Sequence, residues 1–88
     1  MLKLPEELNH ASANACLAQL AQGLVTQVEA VVVDAQDLQR FDSSALAVLL
    51  EVRRLCESAG QRFAVRGLPR QLQNLATLYG IEELLPAA

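Results

Sequence analysis

The spacing of hydrophobic and polar residues alternates along the chain between a strand pattern and a helix pattern. An apolar, β-branched run around Val31-Val32-Val33 predicts a buried strand over residues 28–34. Strict alternation over Arg62–Arg66 predicts a second, short strand. Residues 1–8 alternate only weakly and are interrupted by Pro5, which lacks a backbone donor, so they predict a short edge strand at best.

Three other stretches repeat apolar residues at helical spacing. A first helix is predicted over residues 11–22, with Asn9 or Ser12 as its cap and Gly23 ending it in the left-handed conformation. A second follows the Asp42-Ser43 turn, runs to Ala59 and stops at Gly60. A third begins at Pro69 and ends at Gly80, and one more helical turn follows over residues 81–85. The predicted inward positions are Ala13, Cys16, Leu17, Leu20 and Leu24, then Leu46, Leu49, Val52, Cys56 and Ala59, then Leu72, Leu75, Ala76 and Tyr79.

Strands alternating with helices predict an α/β fold. The connections are short, so we expect right-handed crossovers between parallel strands. The prediction is a single small sheet of three to four strands with helices packed on it. At 88 residues the chain is expected to form a single domain over residues 1–88.

Composition and charge narrow the function classes. Hydrophobic residues make up 52% of the chain and aromatic ones 3%, so the core must be aliphatic. A net charge of −3 gives no support to a nucleic-acid partner. The arginines nevertheless cluster in one stretch whose only acid is Glu57. This cluster is either a solvated surface or a patch for an acidic partner; its members are Arg53, Arg54, Arg62, Arg66 and Arg70.

Cys16 and Cys56 lie inside helical patterns without metal-ligand spacing, which predicts buried thiols of a cytosolic protein, with a disulfide as the alternative. His10 has no companion ligand and is expected on the surface. We expect no secretory signal at the N-terminus, and the longest apolar run, residues 45–50, is far below the ~18 residues of a membrane span. A cytoplasmic location is predicted.

The chain carries no glycine-rich phosphate loop, zinc spacing, nucleophile elbow or Cys/His pair. We therefore expect no catalytic residue, no cofactor, no metal and no enzyme activity. Asp42-Ser43-Ser44 at a predicted helix start is the one polar feature left to explain. Asp42 is either a plain helix cap, or the tip around Ser43 is exposed and accepts a phosphoryl group or a partner's hydrogen bond.

One ordered set of residues is informative: the Val31–Asp34 run, then Leu38 and Phe41, then Asp42–Leu46 followed by a long amphipathic helix. In this order, the set resembles the STAS domain family. Glu7-Leu8 before the first helix and Gly67-Leu68-Pro69 before the last are similar to the usual boundaries of that family. The resemblance covers nearly the whole chain and implies a STAS-type sheet.

Two branches of that family imply different partners. Leu75–Ile81 and the Glu83–Pro86 ending are similar to MlaB-type subunits of the Mla phospholipid transporter of Gram-negative bacteria. That resemblance implies a cytoplasmic protein at the inner membrane, held there only through its complex, which binds the ATPase subunit of an ABC transporter with a permease and hydrolyses no ATP itself.

The alternative branch is the anti-sigma factor antagonists, which implies that an anti-sigma serine kinase phosphorylates Ser43. Ala45 then replaces a common glycine, and the residues before the first helix are too few for the opening hairpin of a typical antagonist. Tyr79 is expected either to complete the core or to contact the ATPase. The residues expected to contact a partner are Asp42, Ser43, Ser44, Leu46 and Tyr79.

Overall fold

The computed structural model describes residues 1–27 and 29–88. This part of the chain forms three α-helices, five short strands and one 3-10 turn. The helices are α1 (Ala13–Leu24), α2 (Ser44–Ser58) and α3 (Arg70–Leu78). The strands are β1 (Leu2–Lys3), β2 (Glu7–Leu8), β3 (Ala30–Asp34), β4 (Arg40–Phe41) and β5 (Arg62–Arg66), and the 3-10 turn is Glu82–Leu84.

The main sheet has the order β1-β3-β5, and both pairings are parallel. The predicted α/β class is thereby confirmed, and β5 has the bounds that the alternation predicts. The first residue of the predicted central strand, Val28, lies outside the described residues. Near the C-terminus Ala87 forms a further parallel bridge to Val65, so the chain covers the outer edge of β5 at that point.

Instead of one sheet, the strands form two ladders. β2 and β4 pair in parallel with each other beyond the ends of β1 and β3. Pro5 has no amide hydrogen to continue β1. Across the break, Gln39 and Arg40 both donate backbone N–H bonds to the Glu6 carbonyl, at 2.8 and 3.0 Å. Two adjacent donors on one acceptor shift the register, and the second ladder starts from there.

The helices cover one face of the main sheet. Because the strand order follows the chain order, right-handed crossovers place successive helices on the same side. Val31 and Val33 point to that side and are fully buried, as are Leu49 and Val52 of α2. The alternate positions of β3 and β5 point to the opposite, open face.

In α1 the predicted inward positions Cys16, Leu20 and Leu24 are buried, but the role predicted for Gly23 is wrong. Gly23 lies inside the helix and has no positive φ. A Cβ there would lie 2.5 Å from Cδ2 of Leu2, so the glycine lets β1 pack closely on the helix. Cys16 and Cys56 are free and buried, as predicted.

In α2 the predicted inward positions Leu46, Leu49, Val52 and Cys56 are buried, which confirms them. Ala59 is exposed, so the inward position predicted for it is wrong. Ala59 is the C-cap residue, where the helix ends, and Gly60 follows with φ of +71°. With 15 residues, α2 is about 22 Å long. None of the helices in the described ranges combines the length and the apolar character that crossing a bilayer requires.

In α3 Leu72 and Ala76 are buried and Leu75 is half-buried, but Tyr79 is 56% exposed. Tyr79 is the C-cap residue: its N–H still bonds to the Leu75 carbonyl at 2.9 Å, but the chain turns at Gly80, and the Tyr79 side chain stays outside the core. The expectation that Tyr79 completes the core is wrong. Pro69 caps the helix one residue before the position predicted for it.

We expect Leu49→Ala to lower the free energy of unfolding by about 2–5 kcal/mol, because a fully buried side chain leaves a cavity in a packed core. Leu78→Ala is the matched control, since Leu78 is 76% exposed and its truncation should change stability by less than about 0.5 kcal/mol. Urea unfolding of the two variants measures both values. Equal losses would contradict the assignment of the core.

Candidate functional site

The site predicted around Ser43 lies at the start of α2, beyond the carboxyl ends of the main strands. Ser43 is exposed and is the N-cap residue of α2. Its carbonyl accepts the backbone N–H bonds of Leu46 and Ala47 at 3.1 and 3.3 Å. Within the described residues its hydroxyl makes no capping hydrogen bond. The backbone of Ser43 is therefore fixed by the helix while its hydroxyl stays available.

The neighbouring Asp42 does the capping instead. Its Oδ1 accepts the Ser44 N–H at 2.8 Å, and its Oδ2 accepts the His10 N–H at 3.1 Å. The bond from Ser44, followed by the bond from His10, lowers the pKa of the Asp42 carboxyl from its ordinary value. One carboxylate thus joins the start of α2 to the loop before α1.

That loop has its own local order. The Asn9 side-chain oxygen accepts N–H bonds from Ala11 and Ser12 at 3.0 and 3.2 Å, and Ser12 Oγ accepts the Asn9 N–H at 3.1 Å. Of the two caps predicted for α1, Ser12 is the N-cap residue, while Asn9 supplies the side-chain bonds. His10 is exposed, as predicted, and stands beside the Asp42 carboxylate.

Acidic side chains dominate this edge of the molecule. Arg40 pairs with Glu7 at 2.9 Å and with Glu6 at 3.4 Å, which leaves Asp37 and Asp42 as further exposed acids. The hydrogen bond that Arg40 donates to Glu7 raises the pKa of Arg40 above its ordinary value. The carboxylate next to Ser43 is that of Asp42, which takes part in no ion pair of the described residues.

Leu46 does not belong to the surface. Its side chain is 2% exposed and packs in the core, so the prediction that it contacts a partner is wrong. Leu46 points inward because it lies on the helix face shared with Leu49, which buries against the sheet. Ser44 is half-buried, while Asp42 and Ser43 are exposed.

Two residues that the sequence analysis missed extend the exposed surface of α2. Ala47 and Leu50 follow Ser43 at i+4 and i+7, which places all three on one side of the helix. Ala47 is exposed and Leu50 is half-buried. The sequence contains this signal, because Ala47 and Leu50 can be found by counting four and seven residues along the predicted helix from Ser43. We call Asp42, Ser43, Ala47 and Leu50, with His10, the α2 docking surface.

Tyr79 is exposed but lies apart from this surface. α2 and α3 both start beyond the carboxyl ends of the strands and return towards the amino ends. Ser43 is at the start of α2 and Tyr79 just past the end of α3, so they lie at opposite ends of the helical layer. The structure does not bring together all the residues predicted to bind a partner.

The described part of the chain has neither a cluster of metal-ligating side chains nor a cysteine with a lowered pKa. Residues 1–27 and 29–88 contain no group of three or more His, Cys, Asp or Glu side chains placed to hold a metal ion. Burial raises the pKa of Cys16 and of Cys56, which disfavours the reactive thiolate.

We expect Asp42→Asn to destabilise the fold at about pH 7. The asparagine side chain is uncharged and has one acceptor oxygen, so it cannot accept both the Ser44 and the His10 N–H bonds as the carboxylate does. The folded-state pKa of Asp42 is lowered, so its contribution exists above the unfolded-state pKa of roughly 4 and is lost as the pH falls through the folded-state value. The stability difference from wild type should thus shrink on acidification to about pH 3. Urea unfolding at both pH values measures it.

Asp37→Asn provides the control, as an exposed carboxylate on the same edge of the molecule. A stability difference for Asp42→Asn that stayed constant between the two pH values would mean that the carboxylate charge plays no part in the cap.

Comparison with known proteins identifies the family of the chain. No curated protein matches the chain. A family model described as "Mlab, STAS domain" matches residues 1–86, which include every strand, every helix and the whole α2 docking surface. The chain therefore belongs to this family of STAS domains.

Proposed function

We propose that the chain is a regulatory subunit that binds and stabilises the cytoplasmic ATPase of a phospholipid ABC transporter of the Mla type. STAS domains are in general regulatory or binding modules and not enzymes, and the family description carries the MlaB name. In this proposal the chain is cytoplasmic and lies at the inner membrane only through its complex with the ATPase and a permease.

The observation that carries the proposal is the exposed hydroxyl of Ser43 on a rigid helix start. A docking point needs a backbone whose position is fixed before the partner arrives, because ordering the backbone on binding would cost affinity. The cap from Asp42 and the burial of Leu46 and Leu49 provide that rigidity.

The α2 docking surface combines the polar and apolar parts that an interface uses. Ser43 offers a hydroxyl that can donate and accept, and the Asp42 carboxylate stands beside it. Ala47 is small and exposed, so a partner can approach the helix backbone closely at that point. Leu50 adds half-buried apolar area one turn further on. The surface positions a partner, and any ATP hydrolysis belongs to that partner.

The exposed serine favours a second candidate function, an anti-sigma factor antagonist switched by phosphorylation of Ser43. A phosphoryl group there would add about −1.5 to −2 charges next to Asp42. It would face solvent in the free protein, but in a complex it would be buried without a counter-ion.

Affinity purification of the tagged chain from its own host distinguishes the two functions. Recovery of a nucleotide-binding ATPase together with a permease supports the transporter subunit. Recovery of a serine kinase together with a sigma factor supports the antagonist.

We expect Ser43→Asp and Ser43→Glu to change the free energy of unfolding by less than about 1 kcal/mol and to weaken recovery of the ATPase, since an exposed position tolerates the charge while an interface does not. Ser58→Asp introduces the same change at the other end of α2 and should leave recovery intact. Unfolding of the Ser43 variants would instead make Ser43 part of the fold.

We expect Ala47→Arg to abolish ATPase binding without loss of fold, because arginine is a good helix former and its bulk fills the exposed side of α2. Ala59→Arg, the same change at the exposed C-terminal end of that helix, is the matched control. Circular dichroism reports the fold and titration of the purified ATPase reports binding. Unchanged affinity for the Ala47 variant would show that the ATPase docks elsewhere, including at Tyr79.

A further inference from the structure

The open face of the main sheet carries basic side chains that the proposed function does not use. Alternate residues of β3 and β5 point away from the helices, and the register aligns Ala30 with Arg62, Val32 with Ala64 and Asp34 with Arg66. Lys3 of β1 lies next to Asp34 on the other side. Arg62, Arg66 and Lys3 are all exposed.

These three cations differ from Arg40, Arg53 and Arg54 in having no acidic partner within the described residues. Arg40 pairs with Glu6 and Glu7, Arg53 with Glu57, and Arg54 with Glu51. In the described ranges no ion pair includes Lys3, Arg62 or Arg66. The arginine cluster of the sequence thus divides into the ion-paired Arg53 and Arg54 on α2 and three arginines that have no ion pair in the described ranges. Of these three, Arg62 and Arg66 lie on the open face and Arg70 lies at the start of α3.

The one acid on this face is turned away from solvent. Asp34 is 9% exposed, and its Oδ1 accepts the Gln36 N–H at 2.9 Å. Between the cations lies a shallow floor of small or half-buried apolar residues, with Val32 and Ala64 at its centre. An apolar centre with a charged rim is the usual composition of a protein interface.

From this charge arrangement we propose that the open face, defined by Lys3, Val32, Arg62, Ala64 and Arg66, binds an extended acidic segment of a partner protein. Five residues along β5 and three adjacent strands give a footprint of about 17 by 10 Å. This area is far smaller than the roughly 800 Å² that each partner buries in a standard globular interface. A short segment fits it, and carboxylates on that segment match the cations.

An anionic membrane matches the structure less well. The net charge of the chain is −3, so a negatively charged bilayer repels the molecule as a whole. Phe63, the aromatic residue of β5, points to the helix side with Val65, so it is not placed to insert into lipid from the open face.

The test uses a fluorescent peptide of roughly six Glu-Ser repeats, about 40 Å long when extended and hence longer than the 30 Å domain. The full chain should bind it at low salt and should not bind the same peptide with Gln in place of Glu. In the Arg62→Gln/Arg66→Gln variant we expect affinity to fall about tenfold. Arg40→Gln/Arg54→Gln removes the same charge elsewhere and should lower affinity less than about twofold.

A second measurement keeps the result independent of variant folding. In the wild-type protein, the peptide should shift the amide NMR signals of β3 and β5 and leave those of α2 unchanged. Equal weakening in both double variants, no binding of the acidic peptide, or shifts confined to α2 would overturn the proposal. So would binding only to vesicles containing phosphatidylglycerol, because that outcome assigns the face to a membrane.

Discussion

The burial of α2 against the main sheet is the constraint on which the other features depend. Leu49 and Val52 are fully buried in the same core as Val31 and Val33. With few aromatic residues, this core holds by close packing of aliphatic side chains, and each methyl group lost leaves space that neighbours fill only in part. The helix consequently has one position on the sheet, and its first residues have one place beyond the strand ends.

The Asp42 carboxylate fixes the surface at the start of α2. By accepting N–H bonds from Ser44 and His10 it joins two connections that are far apart in the sequence. Since Asp42 performs the cap, Ser43 keeps a free hydroxyl on a fixed backbone. Rigidity of the backbone and freedom of the side chain are the combination that a docking residue or a phosphorylation site requires.

Charge is segregated between two surfaces of the fold. The edge with Ser43 carries Glu6, Glu7, Asp37 and Asp42, of which Glu6 and Glu7 pair with Arg40. The open face of the sheet presents Arg62 and Arg66, which form no ion pair within the described residues. The net charge of −3 conceals this separation. Two partners, or two parts of one partner, can therefore be recognised by charges of opposite sign.

Local patterns were sufficient for the three helices, for β3 and β5, and for the fold class, but not for the separate ladder of β2 and β4. Each element is buried on one face, and this leaves a periodic pattern in the sequence: alternation over Arg62–Arg66 for the strand and helical spacing from Leu46 to Cys56 for the helix. The sequence alone therefore predicts both elements and the exposed polar turn around Asp42-Ser43. The Asp-Ser-Ser motif, taken together with the Val31–Asp34 run before it and the long amphipathic helix after it, also indicates the family that the comparison shows.

Tertiary contacts decided the rest, because they depend on residues distant in the chain. The pattern predicts Gly23 as a helix stop, but Leu2 packs on it within the helix. The same kind of pattern favours a core position for Tyr79, but the structure leaves its side chain exposed at the C-terminal cap of α3. The arginine cluster is uniform in the sequence, yet partners on α2 neutralise some members and the register of β3 and β5 leaves others unpaired. Pattern determines which face of an element is apolar, whereas only packing determines what covers that face and which charges remain exposed.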